Sequence, residues 1–207
     1  MDKVFLHVGC GGARKENTTR GFAGPEWKEL RLDIDPAANP DFVCSITDMK
    51  DVASESVDAV YSAHNIEHLY AHEVPLAVQE FRRVLRPDGF AVITCPDLRS
   101  VAALIAADQL TDTAYVSPAG PIAPLDIVYG HRASLAAGNV YMAHHCGFTR
   151  KVLGATLLQS GFRHVALDDR GAPHFDLWAL AAKGPMEETS LRQLATQHFP
   201  QSSPSAS

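Results

Sequence analysis

Short apolar runs alternate with amphipathic or polar stretches along most of this chain. Residues 4–8 are apolar and stop at glycines, which reads as a buried strand. Residues 30–34, ended by Asp35 and Pro36, read as a second strand; 41–46 read as a third and 57–63 as a fourth. In residues 73–85, Val74, Val78, Phe81 and Leu85 recur at i, i+4, i+7 and i+11, one apolar helix face. The Pro87-Asp88-Gly89 turn ends that helix, a fifth strand spans 90–95, and an alanine-rich helix spans 98–107. Thr149 can cap a helix reaching Ser160, with Gly161 as its left-handed stop. Two closing strands follow at 164–167 and 175–181.

Strands alternating with helices, with apolar residues throughout the strands, predict an α/β fold. Its sheet is mainly parallel and carries helices on both faces. Ligands of such sheets bind at the carboxyl ends of the strands. Three stretches fall outside the pattern. Residues 13–27 are polar and turn-rich, a loop with one helical turn. Residues 109–147 hold no period, yet are too long for an idle connection; Tyr115, Tyr129 and Tyr141 argue that they are ordered. Residues 185–207 form a polar tail with a weak helical pattern, frayed at its end.

Composition narrows the classes. Hydrophobic residues make up 46% of the 207 and charged ones 20%, as in a globular enzyme. A net charge of −6 disfavours duplex nucleic acid as a partner. Cys10, Cys44, Cys95 and Cys146 are widely spread without a C-x-x-C pair, which suits free thiols in a reducing compartment. No apolar run is long enough to cross a bilayer, and His7 and Gly9 interrupt any signal-peptide core. The expectation is a bacterial-type cytoplasmic protein.

The first strand ends in the sharpest chemical signal, FLHVGCGG at 5–12. Gly9 and Gly11 allow a tight turn and clear the Cβ atoms that would keep a ligand away. The dinucleotide fingerprint wants a third glycine at position 14, where this chain has Arg14. That argues against a nicotinamide-dependent oxidoreductase and for a ligand without a pyrophosphate. Asp33 stands 24 residues after Gly9, near where a ribose-binding acid belongs, and strand alternation points it out of the tip. Asp35 reads as the cap of the Pro36 turn.

GCGG at 9–12, LDIDP at 32–36, SVDAVYS at 56–62, EHL at 67–69, RVLRPDG at 83–89 and GF at 161–162 occur in one order. As an ordered set, spanning residues 4 to about 183, they resemble class I S-adenosylmethionine-dependent methyltransferases. PLDIVYGHR at 124–132 and MAHHCGFT at 142–149 are similar to a bacterial subgroup of such domains, and no substrate comes with that resemblance. The resemblance implies a Rossmann-like, seven-stranded sheet whose last strand is antiparallel. It implies a methyltransferase domain at 1–184, with 109–147 as a substrate-lid insertion. S-adenosyl-L-methionine would be the cofactor and S-adenosyl-L-homocysteine its product. Gly9, Cys10 and Gly11 would contact the methionine part, Asp33 the ribose, and Ile34 the adenine. Thr47, Asp48 and Met49 would flank the adenine, and Ala63 and His64 would sit beside the amino-acid end and the sulfonium.

The chain departs from that pattern at His7, where an acid often stands, at Ala13 for a third glycine, and at Ser45 for the adenine-side acid. It also lacks a helix before the first strand. The candidates for that cover are residues 13–27, the C-terminal tail and a second subunit in a homodimer. His7 either bonds the glycine turn or the cofactor's ammonium, or is a satisfied core histidine. An acceptor hydroxyl or ammonium would need a base, and His144 and His131 of the irregular segment are the candidates. His64, Glu67 and His68 form H-x-x-E-H, which on a helix puts both histidines on one face. The other reading is that Glu67 and His68 brace the helix start. With no further ligand identifiable, no metal is assigned. The functional expectation is methyl transfer to a small-molecule or protein-borne acceptor, the alternative a catalytically inactive module that binds the cofactor or its product.

Overall fold

A computed structural model describes residues 2–201. Its main sheet has seven strands in the order β3-β2-β1-β4-β5-β9-β8. They are β1 (Lys3–Val8), β2 (Trp27–Asp33), β3 (Phe42–Val43), β4 (Val57–Ala63), β5 (Leu85–Pro96), β8 (His164–Arg170) and β9 (Asp176–Ala182). A separate hairpin joins β6 (Tyr115–Ser117) to β7 (Gly120–Ile122). Strands β1 to β5 pair in parallel, and β9 runs antiparallel between β5 and β8. Strand alternation sorts the apolar residues onto two faces, as a sheet covered on both sides requires. Leu6, Val8, Val60, Ile93 and Ala179 join one core; Phe5, Tyr61, Val92 and Leu180 join the other.

The first core is closed by helices α1 (Val74–Val84) and α5 (Arg150–Gln159). Helix α1 buries Val74, Ala77, Val78, Phe81 and Val84, the face its spacing predicts. It stops at Val84 rather than at the Pro87 turn, and β5 begins at once. A residue before proline is pushed out of the helical region, so the chain extends ahead of Pro87. Helix α2 (Leu98–Ala106) is capped by Asp97, whose carboxylate accepts from the amides of Arg99 and Ser100. Strand β3 is much shorter than its apolar run. The Cys44 amide still donates to Asp33, but the Ser45 and Thr47 hydroxyls bond each other at 2.7 Å and turn the chain away.

Two segments outside the strands cover the second core. Arg20–Phe22 forms a short turn that buries Phe22. The Phe22 ring stacks on Phe5 at 4.3 Å and meets Trp27 edge-on at 5.0 Å. Helix α6 (Glu188–His198) then packs on β8, β9 and that turn. Residues 188–198 are therefore a docked helix, where the polar sequence suggests a tail. The frayed end falls at residues 202–207, outside the described residues. Residues of the 13–27 loop and of the C-terminal stretch thus both cover this face.

Residues 109–147 are ordered through small pieces. Beside the hairpin lie α3 (Pro124–Tyr129), α4 (Arg132–Ala136) and a single turn at Val140–Met142. Elements of three to six residues are too short to show a period. Ile122 and Ile127 form a third small core with Val101 of α2 and Phe175.

His198 joins α6 to the Phe22 turn. Its Nδ1 lies 2.6 Å from the Thr19 hydroxyl, and the ring is almost wholly buried. Burial, helped by the nearby Arg20 charge, pushes its pKa down to about 4 from 6.5. Between those values the unfolded chain binds the proton and the folded chain does not, so stability is full above pH 6.5 and drains as pH falls toward 4. The difference in urea-unfolding free energy between the protein and its His198→Gln variant should change with that sign, by at most about 3 kcal/mol. A parallel pH dependence in both proteins would contradict the assignment.

Candidate functional site

Because β1 to β5 are parallel, their carboxyl ends line up along one edge, and a cavity of about 600 Å³ opens there. Its walls come from the turn after β1, the tip of β2, the loops after β3 and β4, and residues 139–145. That volume lies within the usual range for a small-molecule site.

The glycine turn forms one wall. Gly9 and Gly11 both have positive φ, +58° and +48°. A Cβ on Gly9 would meet the Asn65 side chain at 2.4 Å, whereas one on Gly11 would meet nothing within 4 Å. The Gly11 amide donates to Asp33 Oδ2 at 2.7 Å, and the Asp35 amide donates to Oδ1 at 2.9 Å. An ionised carboxylate has about four acceptor positions, so Asp33 keeps capacity for a ligand. Arg31, two residues earlier, donates to the Gly11 carbonyl and to those of Ala38 and Asn39. Asp35 caps the following turn by accepting from Ala37.

Several expected site residues line the cavity: Gly9, Gly11, Asp33, Ile34 and His64. Cys10 lies in the turn but is buried, with its amide on Leu32, and burial pushes its thiol pKa up. Others sit elsewhere. His7 is not in the cavity wall: on the second-core face of β1, its Nδ1 lies 2.8 Å from Glu29 Oε1. Burial pulls its pKa down, against the opposing pull of Glu29. Thr47, Asp48 and Met49 do not line the cavity; Cys44, Ser45 and Ile46 do. Met49 is drawn into the core because its amide donates to Glu80 while Arg83 holds its carbonyl. Ala63 stays at the end of β4, packed on the second core, and the loop beyond it reaches the cavity through His64 and Asn65.

The base candidates separate as well. His131 caps α4 and lies 2.8 Å from the Ser134 hydroxyl, away from the cavity. His144 is half-buried, its Nδ1 2.8 Å from the Ile127 carbonyl, and burial lowers its pKa. Asp126 is structural: hydrogen bonds from Arg132 hold its carboxyl down to about 2. The H-x-x-E-H stretch is not on an α-helix. His64 has φ +48°, and Ile66–His68 makes a single 3₁₀ turn. His64 Nδ1 lies 3.3 Å from Glu67 Oε1, and that carboxylate raises its pKa.

Two residues at or behind the cavity wall escaped the sequence. Asn65 stands beside Gly9 with its Nδ2 buried and without a hydrogen-bond partner. Arg31 reads as a strand residue, and its grip on the glycine turn needs the turn's position in space. Tyr141, half-exposed in the irregular segment, lines the cavity, while Phe148 is core.

An open, mainly parallel sheet with one antiparallel strand inserted beside β5, a glycine turn after β1 and an acid at the tip of β2 defines a Rossmann-like α/β protein built to hold a nucleoside-type cofactor. Residues 6–93 match the family model described as a methyltransferase domain. That match spans the first five strands of the sheet up to β5, and the strands beyond residue 93 complete it. S-adenosyl-L-methionine is the cofactor that goes with this family. No curated protein matches the sequence.

Solved structures share the fold at low identity. One is a protein from Pyrococcus horikoshii, 13% identical, with a TM-score of 0.60 over 88% of this chain and 82% of that one. Another is a SAM-dependent methyltransferase from Methanosarcina mazei, 16% identical, with a TM-score of 0.57 over 88% and 93%. A third is the 1,6-didemethyltoxoflavin-N1-methyltransferase of Burkholderia thailandensis with bound S-adenosylhomocysteine, 14% identical, with a TM-score of 0.56 over 89% and 72%. The chain spans about half the length, 47%, of another similar structure.

Gly11→Ala should cost about 1 kcal/mol of stability, from the left-handed backbone alone. Gly9→Ala should cost more, because its methyl also displaces the Asn65 amide. Urea denaturation of both variants compares them, and equal losses would show that Asn65 yields freely.

Proposed function

We propose that this protein transfers the methyl group of S-adenosyl-L-methionine to an acceptor held between the carboxyl edge of the sheet and residues 139–145. One observation carries the reading: the bare Gly9–Gly11 bend, the Asp33 carboxylate and the half-exposed Ile34 all line one cavity, with an unsatisfied Asn65 amide beside Gly9.

The residues present fit the cofactor. The space at Gly11 admits a ligand against the backbone, and the free acceptor positions of Asp33 suit vicinal ribose hydroxyls. Ile34 offers an apolar surface to a base, and Ile46 lines the same cavity. The orphaned Asn65 Nδ2 is a donor aimed where a carboxylate would be welcome, since a buried donor without a partner is costly. Bound there, the cofactor supplies an activated methyl on a sulfonium. The protein's part is to align the acceptor and exclude water. Residues 139–145 form the outer wall, with Val140, Tyr141 and Met142 presenting apolar surface. A walled cavity of about 600 Å³ supports an acceptor that is a small molecule or a single presented side chain. The histidines that line the cavity are His64, His68 and His145; His131 and His144 do not. The described residues contain no helix long and apolar enough to cross a membrane.

Calorimetry with S-adenosylhomocysteine tests the reading. The wild-type chain should bind it and should not bind NAD. Ile34→Ser should weaken binding by about tenfold, the worth of one apolar contact surface, with an unchanged melting temperature, because Ile34 is exposed. Asp33→Asn should weaken binding more. A wild-type chain without affinity for S-adenosylhomocysteine would overturn the proposal.

A further inference from the structure

Among the described residues, Glu67 is a buried carboxylate left without a hydrogen-bond partner. Only 1% of it is exposed, and neither carboxylate oxygen accepts a hydrogen bond. The nearest cationic group is His64 Nδ1, 3.3 Å from Oε1. Burying a carboxylate without hydrogen bonds costs several kcal/mol, so the arrangement calls for a partner.

Two imidazoles point toward the same place. Glu67, His68 and His144 each offer one ligand atom, and the three atoms lie within 4.8 Å of one another. His68 Nδ1 lies 3.0 Å from the Ala143 carbonyl, and His144 Nδ1 lies 2.8 Å from the Ile127 carbonyl. A carbonyl can only accept, so Nδ1 carries the proton in both rings. The lone pair of each Nε2 is thereby left free. Second-shell bonds of this kind fix the tautomer and aim of metal-binding histidines. The two loops are also tied together: the amides of His145 and Cys146 both donate to the Glu67 carbonyl. The donor set is therefore preorganised by backbone contacts, with one buried anion and two neutral nitrogens converging.

We propose that Glu67, His68 and His144 form a binding site for one divalent transition-metal ion. Two imidazoles and a carboxylate suit zinc, cobalt or a similar ion over magnesium, which prefers oxygen ligands alone. The ion satisfies the buried carboxylate and relieves the approach of two lone pairs. Three protein ligands leave a coordination position open. His68 belongs both to the cluster and to the cavity wall, so the ion stands at the cavity's edge. The site does not depend on the methyltransferase reading.

The test uses the untagged full chain, stripped with a chelator and dialysed, then titrated with Co²⁺ by calorimetry and visible absorption. One Co²⁺ per chain is expected, with absorption bands of a nitrogen-ligated ion and a raised melting temperature that Mg²⁺ does not reproduce. Glu67→Gln and His144→Ala should each lower Co²⁺ affinity at least tenfold, while the exposed His174→Ala should match the wild type. Retained S-adenosylhomocysteine binding in His144→Ala shows that the variant is folded and keeps this result separate from the test of cofactor binding. A wild-type chain that neither binds Co²⁺ nor gains thermal stability from it overturns the proposal. So do folded Glu67→Gln and His144→Ala variants that bind it as tightly as the wild type.

Discussion

The peptide of Gly11 is held at both of its polar groups by side chains of β2. Its amide donates to Asp33 and its carbonyl accepts from Arg31. Arg31 and Asp33 are two apart on one strand, so they project to the same side and reach the same turn. This clamp sets the bend after β1 against the tip of β2, and the cavity wall exists because of it. Without the clamp, a turn of three glycines in four residues would have many conformations and no fixed surface to offer a cofactor. The same Asp33 that would meet the ribose is thus already engaged in shaping the place where the ribose would go.

The rest of the architecture keeps that clamp rigid. The sheet carries a core on each face, and its parallel strands bring five loop ends to one edge. One face is covered by amphipathic helices in the ordinary way. The other depends on Phe22 from a polar-looking loop and on a helix near the end of the described chain. His198 bridges these two segments, which makes their docking sensitive to acid. The hydrogen bonds of Glu80 and Arg83 pull residues 49–52 down onto α1, and so the cavity wall after β3 is formed by Cys44, Ser45 and Ile46 instead of residues 47–49.

Most strands and helices could be read from the chain because their signals are local. The period of α1, the Asp97 and Thr149 caps and the apolar runs of β1, β4 and β9 depend on neighbours in sequence. Boundaries shifted where a distant contact intervened: β3 shortened at the Ser45 turn, and α1 stopped ahead of Pro87. Helix α6 was hard to see because Leu191 and Leu194 carry its apolar contact in an otherwise polar stretch. Irregular residues 109–147 were legible only as ordered, since pieces of a few residues leave no period.

Of the candidate site residues, Gly9, Gly11, Asp33 and Ile34 line the cavity, the first three at positions that turn chemistry and strand ends mark in the sequence. His7, His131 and residues 47–49 do not line the cavity: Glu29 holds His7, Ser134 holds His131, and Glu80 holds the Met49 amide. The partnership of Glu67 and His68 with His144 was beyond reach of any spacing rule, although all three had been singled out. Hydrophobic period and turn type act over a few residues and are written in the chain itself. Which side chains converge across some 75 intervening positions depends on how the sheet edge and the folded-over segment close in three dimensions, and only the folded molecule holds that information.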